Sequence, residues 1–79
     1  MSDVAAIADG LTKAQRKAVL RAEDRAARGV WHPAGVYVTA DRRVRYRLAL
    51  LDIAVDYLRH SNRLTPLGLQ VREHLKAKP

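Results

Sequence analysis

Arg42, Arg43, Arg45 and Arg47 fall within six residues, with no acid among them. A guanidinium is a planar fork of donors that fits a phosphate or the O6/N7 edge of guanine. Lys13, Arg16 and Lys17 form a second basic group, and Arg59 and Arg63 bracket a polar, turn-rich stretch. Lys and Arg placed on phosphates release condensed counterions, so clusters of this kind point to a polyanion as partner. A solvated basic face is the plain alternative. Like charges one turn apart, however, destabilise a helix by about a few tenths of a kcal/mol. An anion resting on that face would offset the repulsion.

Other chemistries find little material. The chain has no cysteine, which removes thiolate metal sites, disulfides and cysteine nucleophiles. His32, His60 and His74 are separated by 28 and 14 residues, which fits no zinc spacing. His60 and Ser61 are neighbours on a turn and cannot aim at each other as a base and nucleophile. Gly10, Gly29, Gly35 and Gly68 make neither a phosphate loop nor a dinucleotide fingerprint. Asp52 and Asp56 straddle an expected change from helix to strand, so they do not form a paired-carboxylate site. The expectation is a protein that is not an enzyme and uses no metal or cofactor.

The 79 residues carry a net charge of +7 and are 48% hydrophobic. That length holds one domain with a small core and leaves no room for a deep substrate cleft. Eleven arginines against four lysines, with thirteen alanines, match a GC-rich compositional bias. Such a bias explains the choice of Arg over Lys but not the excess of bases. No apolar run approaches the ~18 residues of a membrane span, and the start of the chain lacks a basic signal-peptide region. A cytoplasmic protein without membrane association is expected.

These side chains need elements to hold them. Residues 1–10 read as an arm or short helix that could hang loose, brace the core or meet a second copy. Thr12 with Gln15 forms a capping box, and Leu11, Ala18, Val19, Ala22 and Ala26 make a helical stripe that Gly29 would end. Val36–Thr39 reads as a short strand after a His32–Gly35 turn, with Trp31 in the core. Thr39 or Asp41 caps a second helix. At 100° per residue, Val44, Arg47, Leu48 and Leu51 take one side of it and Arg42, Arg45, Tyr46 and Ala49 the other. Ile53–Leu58 and Leu64–Thr65 read as strands of a hairpin whose tip is Arg59, His60, Ser61, Asn62 and Arg63. Thr65 and Pro66 open a last helix as N-cap and first residue. Gly68 costs that helix about 1 kcal/mol against Ala, which suits a first turn packed closely on another backbone.

This order resembles a winged helix-turn-helix DNA-binding domain, mainly α with a small hairpin or three-stranded sheet. The sharpest match is Asn62–Arg63–Leu64–Thr65–Pro66–Leu67–Gly68, similar to the end of the wing and the start of the next helix in small bacterial and phage members. Leu50–Leu58 resembles the preceding helix end and first wing strand, and Leu11–Arg16 the opening helix. The likeness spans residues 11–76. One departure is that Val30–Thr39 reads as strand and turn where the family has the helix before its recognition helix.

The resemblance implies sequence-specific binding of double-stranded DNA by a small transcriptional regulator. The Asp41–Leu51 helix would enter the major groove, with Arg42, Arg45 and Tyr46 reading bases and Arg43 and Arg47 on phosphates. Lys13, Arg16 and Lys17 would add backbone contacts, and Arg59, His60, Asn62 and Arg63 would form the wing. About six phosphate contacts give a log–log salt slope near −5. A module this small reads few base pairs, so a homodimer is expected, with residues 1–10 and the last helix as its surface. The alternative is an inhibitor-like interaction module that binds an acidic protein surface. RNA binding ranks behind both, because few aromatics are free to stack on bases.

Overall fold

The structure is a computed structural model and describes residues 3–30, 33–58 and 61–77. Trp31, His32, Arg59 and His60 lie outside the described residues, so the expectations placed on them are not taken further.

Two helices open the chain: α1 (Val4–Asp9), capped by the Asp3 carboxylate on the Ala6 N–H, and α2 (Lys13–Leu20). The capping box at α2 forms as expected. The Thr12 hydroxyl accepts from the Gln15 N–H at 3.2 Å, and the Gln15 side chain accepts from the Thr12 N–H at 2.9 Å. Of the three uses expected for residues 1–10, the structure adopts the brace: α1 packs on the last helix and Ala8 is fully buried.

After Arg21 the chain departs from expectation. In place of a helix running toward Gly29 there is a strand, β1 (Glu23–Arg25), paired antiparallel with β2 (Gly35–Val38). The helical stripe ends at Ala22, which is buried, whereas Ala26 is exposed. Pairing with β2 supplies the backbone partners that a longer helix would have supplied internally, so tertiary contact overrides local propensity. Then come α3 (Arg42–Leu50), β3 (Ala54–Leu58), β4 (Ser61–Leu64) and α4 (Pro66–Ala77). Among the described residues no helix lies between α2 and α3.

The protein is mixed α/β, with four helices and one antiparallel sheet of order β1-β2-β4-β3 among the described residues. The sheet has one strand more than the three-stranded expectation because of β1. Its register puts Val38, Asn62, Leu64 and Ala54 on one face and Tyr37, Arg63 and Val55 on the other. The first face meets the helices. Val19, Leu48, Ile53 and Val71 join Val38 and Leu64 there in the core. On the second face Arg25 lies over the Tyr37 ring at 5.3 Å and donates to the Thr39 hydroxyl, while the Tyr37 hydroxyl donates to the Pro33 carbonyl. This cover leaves Tyr37 buried without a second layer of helices.

Candidate nucleic-acid interface

The Asp41 carboxylate starts α3, accepting from the Val44 N–H at 2.9 Å. The helix ends at Leu51, and Asp52 then takes a left-handed conformation (φ 59°) that turns the chain into β3. The Ile53 N–H still reaches the Leu48 carbonyl at 3.0 Å, closing the last turn.

That turn is clamped from the other end of the β3–β4 hairpin. The Thr65 hydroxyl donates to the Asp52 carbonyl, with the Ile53 carbonyl nearby at 3.2 Å, and accepts from the Gly68 N–H at 3.0 Å. The Thr65 N–H also donates to the Ile53 carbonyl at 3.0 Å. Gly68 lies so close that a Cβ there would sit 1.9 Å from that same oxygen. The close approach expected of Gly68 is therefore with the backbone at the exit of α3. The Thr65–Pro66–Leu67–Gly68 run acts as a clip holding the end of α3 to the start of α4.

The division of α3 into faces differs from the sequence expectation. Leu48 is fully buried, and Val44, Arg45 and Ala49 are half-buried beside it. Arg42, Arg43, Tyr46, Arg47 and Leu50 are all exposed and span an arc of about 140° at 100° per residue. Three placements are thus corrected. Arg47 belongs to the outer face, and Arg45 and Ala49 belong to the inner one. The expected apolar side was centred by including Leu51. That residue is the C-cap and is 44% exposed, so the true apolar centre lies between Val44 and Leu48.

Arg45 consequently works inside the fold. Its Nε donates to the Ala40 carbonyl at 3.0 Å, and its own carbonyl accepts from the Asn62 side-chain amide at 3.2 Å. Asn62 is corrected as well: expected at an exposed wing tip, it is 2% exposed and faces α3 from β4. It is buried because β4 already begins at Ser61, which assigns Asn62 to the core face by strand alternation. Arg63, the next residue, takes the opposite face and is half-buried, its stem lying across β2. A Cβ on Gly35 would come within 3.0 Å of its Nε.

The side chains of Arg42, Arg43 and Arg47 make no hydrogen bond or ion pair among the described residues. On α2, Lys13, Arg16 and Lys17 are exposed as expected, and α2 packs against α3. The Arg16 guanidinium is partly committed, donating to the Asp9 carbonyl at 2.9 Å. Other bases are spent structurally, including Arg72, which donates to the Ala22 carbonyl at 2.9 Å.

From the sequence, Leu50 is expected at a dimer contact or in partial burial, with contact to a thymine methyl as the lesser alternative. It is 60% exposed and Tyr46 63%. The signal for it was the row Arg42, Tyr46, Leu50 at i, i+4 and i+8, which continues the basic face to the end of the helix.

No helix among the described residues is long and apolar enough to cross a membrane, and no cluster there could hold a metal ion. Comparison with known proteins finds no matching family model, no matching curated protein and no matching solved structure.

Proposed function

We propose that the protein binds double-stranded DNA with sequence preference, as a small regulator of winged-helix type, using the outer face of α3. The observation that carries this reading is the acid-free arc of Arg42, Arg43, Tyr46, Arg47 and Leu50, whose three guanidinium groups have no partner among the described residues. Two of these arginines occupy the first turn of α3, which contains no acid. A cation there opposes the helix dipole, at a cost of about 0.3–1 kcal/mol. Stability of the helix does not account for that placement, and an external anion does.

The surrounding order supports the winged-helix form. A helix packed on a second helix is followed by a hairpin and a closing helix, with the Thr65–Gly68 clip fixing the hairpin's base. The β1–β2 hairpin stands where a helix would precede α3, so the approach to a duplex differs from the usual one. An α-helix is about 10–12 Å across with its side chains, and the major groove is about 12 Å wide. In this reading Arg42 and Tyr46 face base edges, and Arg43 and Arg47 hold phosphates on either side. Lys13, Lys17 and Arg16 extend the backbone contacts, and the β3–β4 hairpin lies along the flanking groove or backbone. Arg45 and Asn62 hold α3 rather than touch DNA. A homodimer on a two-fold site would extend the few base pairs one module reads.

Binding of an acidic protein surface is the second reading. Tyr and Arg are the side chains that most often dominate protein interfaces, and α3 presents both. Selection from random duplexes at two salt concentrations separates the two. DNA binding predicts an enriched sequence and, for five phosphate contacts, a log–log salt slope of about −4.5. Absence of any duplex shift at low salt contradicts it.

A further inference from the structure

We infer that Leu50, flanked by Tyr46, is the specificity-determining residue for a thymine, recognised through its C5-methyl group. The inference rests on the DNA reading of α3 and adds the base class met at the far end of the helix. Leu50 ends α3 and is 60% exposed, while Leu48 fills the core beneath it. Packing of the helix therefore makes little use of Leu50. A single exposed leucine is ordinary on a protein surface. This one continues the row Arg42–Tyr46–Leu50 on the same arc as three guanidinium groups that have no partner among the described residues.

Phosphate oxygens, which the arginines would hold, offer a leucine nothing apolar to meet. Among the unmodified base edges of the major groove, the thymine methyl is the one hydrocarbon group presented to a side chain. Arginine at the start of the row and leucine at its end thus call for different partners: guanine at one end and thymine at the other. Eight residues at 1.5 Å each separate Arg42 from Leu50 by about 12 Å, or three to four base-pair steps at about 3.4 Å. The preferred half-site accordingly holds a guanine and a thymine about three base pairs apart.

The test is a uracil scan. The duplex selected by the full chain is remade with each thymine in turn replaced by uracil, which deletes only the methyl. Affinity is then read by fluorescence anisotropy for the wild type, Leu50→Ala and Leu50→Gln. One replacement should weaken wild-type binding by about threefold to tenfold, the worth of one buried methyl. Both variants should bind the thymine and uracil duplexes equally, with an unchanged melting temperature. The inference is overturned if no uracil position affects the wild type, or if the variants keep the full uracil penalty. Failure to select any duplex would remove the DNA reading itself. A selected guanine-containing duplex with no uracil effect would leave that reading standing and remove the thymine contact alone.

Discussion

Arg43 and Arg45 stand two residues apart on α3 and are employed in opposite ways. Arg43 lies on the outer arc with Arg42 and Arg47 and has no partner among the described residues. Arg45 lies on the inner side, donating to the Ala40 carbonyl and lending its own carbonyl to Asn62. The inner side continues into the Asp52–Gly68 clip, where backbone, hydroxyl and glycine leave no spare space. One side of the helix is thus committed to the fold and the other is bare. A count of arginines cannot tell the two apart; the phase of the helix can.

The inner side breaks most sharply at Gly68. Gly68→Ala forces a methyl into the Ile53 carbonyl, and overpacking against backbone costs about 3 kcal/mol. Chemical denaturation should show a large drop in the midpoint, and a midpoint within experimental error of wild type would contradict the close approach. On the outer side the expected loss is in binding. Arg42→Ala should weaken the selected duplex by about 2 kcal/mol with stability unchanged. Arg45→Ala should do the reverse, lowering stability by about 1 kcal/mol through its lost hydrogen bond. Paired titration and thermal melts of these two variants sharpen the contrast, and equal behaviour would erase it.

Much of this architecture was legible. Thr12 with Gln15, Asp41, and Thr65 with Pro66 are caps whose chemistry acts within one turn, so they mark helix starts without tertiary information. Gly68 announced a close contact because a glycine in the first turn of a helix otherwise only costs stability. Glu23–Arg25 was not legible as a strand. Its three charged residues carry no β preference, and its partner is Gly35–Tyr37, ten or more residues further along. The burial of Asn62 was hidden for a related reason. Ser61, Asn62 and Arg63 are turn formers by type, and only the register with Val38 and Asp56 turns Asn62 inward. On α3 the bases were found, but one C-terminal leucine shifted the assignment of the faces and exchanged Arg45 with Arg47.

Smaller effects refine the account of the joint. Thr65→Val removes the hydroxyl that caps α4 and ties it to Asp52, and should cost about 1 kcal/mol in an equilibrium unfolding experiment. A cost near zero would mean the clip is held by the glycine contact alone. At Asp52 the left-handed backbone sets the sign of the change. Asp52→Gly should shift stability by no more than about 0.5 kcal/mol, while Asp52→Val should lower it by about 1–2 kcal/mol. Equal effects of the two would show that conformation is not what that position demands.

The most direct measurement is the salt dependence of duplex affinity for wild type, for the double variant Arg43→Ala/Arg47→Ala, and for Arg45→Ala. If the outer face of α3 is what meets the phosphates, the double variant flattens the log–log slope by about 1.8, two contacts' worth, and Arg45→Ala leaves it unchanged. A slope that is the same in the double variant and the wild type, or one that Arg45→Ala flattens as well, would contradict the division of α3 into a committed side and a binding side.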